Sequence, residues 1–175
     1  MRRKLVFIDA ETDGLYGMFL TVGMKVTDEK GHEMDRAYYG IKRENMHVSQ
    51  AWVQENVIPI LGEYEPCEDE EELLEKTWEF WMKHREDAYA VADVPYPVEF
   101  RLFEKCVEKN PAERATLAPF PLLDLASVLW ANGIEPLADR SGLLEGDVQA
   151  KQHNAYADAE MCAEILQKIW MERGL

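Results

Sequence analysis

Apolar residues run unbroken from Leu5 to Ile8 and resume at Ala10. A run that short and continuous predicts a strand over 5–10 buried on both faces. After Asp13-Gly14 a second β-rich stretch covers 18–27. Asp28-Glu29-Lys30-Gly31 then reads as a hairpin turn into a third strand over 37–41. Two antiparallel neighbours beside a buried strand predict a mixed sheet.

Helical spacing follows. Ser49 is placed to cap a short helix through Val57, with Pro59 at its end. The acidic run 68–72 opens a longer helix bearing Leu73, Leu74, Trp78, Trp81 and Met82. Carboxylates in a first turn complement the helix dipole, which accounts for that run without a binding role. A short strand over 88–92 stops at Asp93, Val94-Pro95-Tyr96-Pro97 forms a stiff loop, and 98–108 reads as a helix. A strand edge over 121–125 leads to a helix ended by Asn132-Gly133, and a last helix covers 154–172. Strands alternating with helices after an initial meander predict an α/β domain.

The 175 residues fit one domain, 1–175, and 47% hydrophobic content suffices for a core. Charge narrows the function. Lys and Arg total 19 against 34 Asp and Glu, a net −15. That excludes a duplex binder with a broad basic face, but leaves open an acidic site working through bound cations. Cys67, Cys106 and Cys162 have no metal-ligand spacing, so neither a disulfide scaffold nor structural zinc is expected, and a reducing cytoplasm fits. The basic start Met1-Arg2-Arg3-Lys4 precedes too short an apolar stretch for a signal peptide. No run reaches the ~20 apolar residues that span a bilayer, so no membrane partner is expected.

Carboxylates stand in unusual places. In a strand, Asp9 and Glu11 share the face of Leu5 and Phe7. Ionised acids there are costly without a cation or donors. The plainer alternative, favoured for so short a pattern alone, ends the strand at Ile8 and solvates both. On the last helix Asp158 heads a face otherwise made by Cys162, Ile165 and Ile169. A dipole-complementing acid explains Asp158 equally well. His153 lies five residues before it, with Asn154 between as a cap, so its ring can overhang the same place. His32, His47 and His84 read as ordinary histidines. Converging acids repel and hold protons unless divalent cations neutralise them, and Mg²⁺ or Mn²⁺ suits all-carboxylate ligands. Two such ions about 4 Å apart cleave phosphodiesters by in-line attack, with a nearby histidine as base.

Phe7-Ile8-Asp9-Ala10-Glu11-Thr12-Asp13-Gly14-Leu15 followed, in order, by His153-Asn154-Ala155-Tyr156-Ala157-Asp158 resembles the DEDDh family of 3′→5′ exonucleases, which includes RNase T, oligoribonuclease and polymerase proofreading domains. The matched segments are an FxDxET-x-G-L pattern after the first strand and HxAxxD at the start of the last helix. The resemblance implies an RNase H-like three-layer fold, a mixed five-stranded sheet flanked by helices. It implies Asp9, Glu11 and Asp158 as ligands of two ions, Mg²⁺ or Mn²⁺, and His153 as general base. Thr12 would lie beside the 3′-terminal nucleotide and Leu15 on its base, although a loop leucine is commonly core.

The second family motif departs. Where the family has a strand and then HNxxFDxxFL, this chain has Val91-Ala92-Asp93-Val94-Pro95-Tyr96-Pro97-Val98-Glu99-Phe100-Arg101-Leu102-Phe103. Aligning the helix start gives Glu99 as the remaining acid; aligning the strand end gives Asp93. Both stay open, against the alternatives of a dipole acid and a turn former.

The resemblance thus implies a metal-dependent exonuclease releasing nucleoside 5′-monophosphates from a single-stranded 3′ end, RNA or DNA. Net repulsion favours short strands. Arg101, Lys105, Lys109 and Arg114 offer a local guide for a strand, or a solvated helix face. Loss of the second-motif acid would instead leave a nucleic-acid-binding or accessory domain on the same fold. A homodimer is left open by the apolar excess of Trp78-Glu79-Phe80-Trp81, for which core burial is the plainer fate.

Overall fold

The structure, a computed structural model, describes residues 4–144 and 153–174. The basic start at 1–3 lies outside them. β1 (Lys4–Thr12), β2 (Phe19–Thr27) and β3 (Glu33–Ile41) form an antiparallel meander. The turn from β2 to β3 is the expected one: Asp28 accepts from the Lys30 and His32 backbone N–H groups, and Gly31 takes φ +81°. β5 (Ala88–Ala92) lies parallel to β1 on its other side, and β6 (Leu122–Asp124) parallel to β5. β1 is therefore interior, which explains its continuous apolar run.

The sheet has six strands in the order β4-β3-β2-β1-β5-β6, one more than the five expected. The addition, β4 (Glu65–Cys67), is a three-residue edge parallel to β3. It contains Pro66 and no apolar alternation, so nothing in its sequence announces a strand; an outer edge is where proline is tolerated.

Helices cover both faces. Val6, Ile8 and Ala10 point toward α2 (Glu70–His84) and α3 (Val98–Glu108), in a core with Leu74, Trp78, Trp81, Leu102 and Phe103. Leu5 and Phe7 point the other way, against α5 (Leu125–Ala131) and α6 (Ala155–Arg173). Trp78, Phe80 and Trp81 are all core residues, the plainer of the two fates expected. α1 (Ala51–Asn56) and the turn after it bury Val53, Val57 and Leu61 on Leu20, and α4 (Pro111–Arg114) is a single turn after α3.

The acidic start of α2 complements the dipole as expected, with Asp69 capping Glu72 N–H at 2.9 Å. Its carboxylates also hold α3 and α4: Lys105 pairs with Glu70, Lys109 with Glu71 and Arg114 with Glu75. These three bases, which sequence offered as a strand guide, have their charges engaged within the protein. No described helix is long and apolar enough to cross a membrane.

Candidate metal centre

β1 continues past its apolar run. Asp9 pairs with Gly23 and Glu11 with Thr21 in the ladder to β2, so the alternative in which the strand ends at Ile8 does not hold. Period two then puts both carboxylates on the face toward α6. Gly23, opposite Asp9, decides how near α6 comes. A Cβ there would lie 2.3 Å from Tyr156 N and 2.4 Å from Ala155 C, so only glycine admits the helix start onto the strand. Asn154 caps α6 by accepting from Ala157 N–H at 3.1 Å, and its amide donates to Leu61 O at 2.8 Å. Asp158, in the first turn, is thereby delivered to β1.

Carboxylate oxygens of Asp9, Glu11 and Asp158 all lie within 4.8 Å of one another. Glu99 approaches from the opposite face. Pairing of β5 with β1 ends at Val91 and Phe7, which leaves the next stretch of β1 uncovered on that side. Glu99, only 3% exposed at the start of α3, accepts from Ala10 N–H at 3.2 Å. It thus sits at the backbone between Asp9 and Glu11.

The electrostatics follow. Burial, foremost, and then Glu99, Glu11, Asp158 and Asp93 raise the Asp9 carboxyl well above the usual range. Burial and Asp158 push Glu11 to about 8. Burial pushes Glu99 to about 8, against its own and Ala10's backbone N–H groups and with Glu11 and Asp93. Burial and Asp93 bring Asp158 to about 7, although N–H groups of His153 and Asn154 oppose the rise. Among the described residues none of these four acids is paired with Lys or Arg.

Asp93 is different. At the end of β5 it receives Arg140 in a two-pronged pair, Nε to Oδ2 at 2.6 Å and Nη2 to Oδ1 at 2.9 Å. Arg140 also donates to the carbonyls of Pro136 and Ala138, tying that loop to the strand end. A cavity of about 280 Å³ opens here, with Asp9, Asp93, Arg140, His153 and Asp158 in its wall. The exposed His153 ring stands edge-on to Trp52 of α1, centroids 5.1 Å apart, while its N–H donates to Asp158 at 2.9 Å. Its φ of +67° turns the chain sharply into the helix. Thr12 is buried at the end of β1, whereas Leu15 is 62% exposed and not core.

Sequence reasoning missed several positioning groups. Asp13 accepts from Ser49 N–H and Oγ–H and from Gln50 N–H, at 2.6–2.9 Å, fastening the loop after β1 to α1. Ser49 is spent there, and Gln50 stands at the helix cap instead, without a side-chain bond. An Asp followed by Gly was a local turn signal, but its partners 36 and 37 residues away were not. Arg140 gave no signal at all.

No family model and no curated protein sequence matches the chain. Solved structures do. The zinc-bound complex of E. coli exonuclease I with single-stranded DNA matches with TM-score 0.69 at 10% identity, over 99% of this chain and 42% of that one. A moderately thermophilic exonuclease I from Methylocaldum szegediense gives 0.68 at 14% identity, over 98% and 41%. The fold is shared with exonuclease I. The sheet with helices on both faces is thus the RNase H-like, three-layer arrangement expected. E. coli exonuclease I bound to a 5cy-dT13 oligonucleotide matches at 0.64 and 10% identity, over 99% and 41%. The chain therefore spans about two fifths of the length of these exonuclease I chains.

Proposed function

We propose that the chain, as one exonuclease domain, is a metal-dependent 3′→5′ exonuclease that hydrolyses single-stranded nucleic acid to nucleoside 5′-monophosphates. The observation that carries this reading is the convergence of Asp9, Glu11 and Asp158 at the end of β1, in a fold shared with exonuclease I. The donor set fits divalent cations: hard carboxylate oxygens, buried, mutually repelling and unpaired with any described Lys or Arg. Mg²⁺ or Mn²⁺, as two ions, is the fitting cofactor. Bound ions supply Lewis acidity at the scissile phosphate.

Asp9, Glu11 and Asp158 hold the ions. Glu99 is the fourth acid in preference to Asp93, because Glu99 is buried against β1 without a cation while Asp93 is neutralised by Arg140. His153 takes the proton of the attacking water, imidazole being suited to general-base work near neutrality. Its place in the cavity wall beside Asp158 supports the role. Thr12 and Leu15 border the terminal nucleotide and its base. Because two of the E. coli exonuclease I structures hold single-stranded DNA or a dT13 oligonucleotide, DNA is the first polymer to test.

The test is digestion of 5′-labelled single-stranded DNA and RNA with Mg²⁺, Mn²⁺ or EDTA, with Asp9→Ala alongside. A ladder shortening from the 3′ end, lost with EDTA and in the variant, is the expected result. No cleavage of either polymer with either metal would overturn the enzyme reading in favour of a binding domain.

A further inference from the structure

Tyr38 is half-buried on β3, two strands from the acids of β1. In the ladders Asp9 stands opposite Gly23 and Gly23 opposite Tyr38, so the three share the face that α6 covers. The Tyr38 ring lies 6.2 Å from that of Tyr156, in the first turn of α6, and edge-on to Tyr64 at 5.7 Å. The hydroxyl makes a second link. It donates to Leu61 O at 2.6 Å, and the same carbonyl accepts from the Asn154 amide at 2.8 Å. A carbonyl oxygen has two lone pairs, and here a strand and a helix cap each engage one.

Asn154 carries the link onward. Its side chain caps α6, and its carbonyl accepts from Asp158 N–H at 2.9 Å. One chain of hydrogen bonds thus runs from β3 through the buried Leu61 to Asp158. Burial, foremost, and the nearby Glu11 and Asp9 raise the Tyr38 hydroxyl above its ordinary value, which keeps it a donor. The helix start needs such a hold. Carboxylate oxygens of Asp158, Asp9 and Glu11 converge within 4.8 Å, and their charges repel when no cation lies between them. Ligands of a tight metal centre are held in place by groups that touch no ion themselves.

We propose that the Tyr38 hydroxyl is a positioning group for the metal centre: by anchoring the Leu61 carbonyl that holds Asn154, it fixes Asp158 where the ions bind. The proposal rests on the metal-dependent exonuclease reading and names a residue that pre-sets the geometry of that site. Tyr38 touches neither ion nor strand; it acts through the first turn of α6.

Electron paramagnetic resonance of free Mn²⁺, titrated into the EDTA-treated and dialysed full chain, tests this without turnover. Tyr38→Phe removes only the hydroxyl: the ring stays beside Tyr156, and Leu61 O keeps the Asn154 amide. Asn154→Ser retains a capping oxygen and gives up the reach to Leu61. Each variant is expected to weaken Mn²⁺ binding about tenfold, and the double variant no further than Asn154→Ser alone. Melting temperature in EDTA is read alongside. If Tyr38→Phe binds Mn²⁺ as the parent chain does, whatever its melting temperature, the hydroxyl is structural only and the assignment is overturned. It is overturned too if Tyr38→Phe weakens binding by the same factor in the Asn154→Ser background, because the hydroxyl would then act by another route. Both results leave the exonuclease reading standing. Absence of Mn²⁺ binding in the parent chain, shown folded by circular dichroism, overturns the metal centre, the exonuclease reading and the role of Tyr38 together.

Discussion

At Asp9 burial and four neighbouring carboxylates push the same way, toward the protonated acid. The side chain is therefore a cost to the metal-free fold and a ligand to the loaded one. Asp9→Ala is expected to abolish turnover while leaving the metal-free protein as stable as before or more stable by about 1 kcal/mol. Melting in EDTA beside the oligonucleotide assay checks both; a fall of several degrees would make Asp9 a structural group. Asp93 and Glu99 should separate in the same way. Glu99→Gln is expected to lose most activity with little change in melting temperature. Asp93→Asn leaves Arg140 without its partner charge and should cost about 1–3 kcal/mol while retaining turnover. The reverse pattern in paired melts and rates would hand the fourth position to Asp93. Sequence could not choose between these acids, because the deciding contacts are remote. Ala10 lies 89 residues from Glu99, and Arg140 lies 47 from Asp93. Asp9, Glu11 and Asp158 were named together through the two motifs in chain order; strand and helix periods gave each a face but left a solvated strand end and a dipole acid open.

Among the elements, α6 and β2 set the centre through a single missing side chain. Gly23→Ala would place a methyl against the backbone of Ala155 and Tyr156, which cannot rotate away. The helix start must shift, carrying Asp158 from its partners. A destabilisation of about 1–3 kcal/mol is expected, together with a weakened rise in melting temperature on adding Mn²⁺. Urea unfolding and melts with and without Mn²⁺ measure the two effects. An unaltered Mn²⁺ response would show that α6 does not need this approach to deliver Asp158. The strands and long helices were legible from periodicity, and Asn154 as a cap from its residue type. The end of β1 was not, since acids at 9 and 11 resemble a strand running out into water. The ladder to β2 keeps it extended. β4 escaped because three edge residues with a proline carry no period, and Ser49 failed as a cap because Asp13, across a loop, claims it first.

For the whole molecule, the buried acids couple stability to pH and to metal. Glu11 and Glu99 titrate at about 8 against an ordinary 4.5, and Asp158 at about 7 against 3.8. Between those limits the folded state holds protons that the unfolded chain releases. Stability without metal therefore falls as pH rises from about 4.5 to 8. Asp13, Asp28, Asp35 and Glu72 are shifted downward by their hydrogen-bonding partners, so their stabilisation is complete above the ordinary carboxylate range and lost only in stronger acid. They leave the slope across neutrality to the centre. Cations bind the deprotonated form and displace its protons, so the metal gains most where the apo protein is weakest. Melting temperature in EDTA is expected to be lower at pH 8 than at pH 6. Millimolar Mn²⁺ should raise it more at pH 8, narrowing or reversing the difference. Calcium-free, EDTA-treated protein melted at both values with and without Mn²⁺ gives the four numbers required. If the Mn²⁺ increment were equal at the two pH values, the ion would not be displacing protons from these carboxylates, and the centre would have to lie elsewhere.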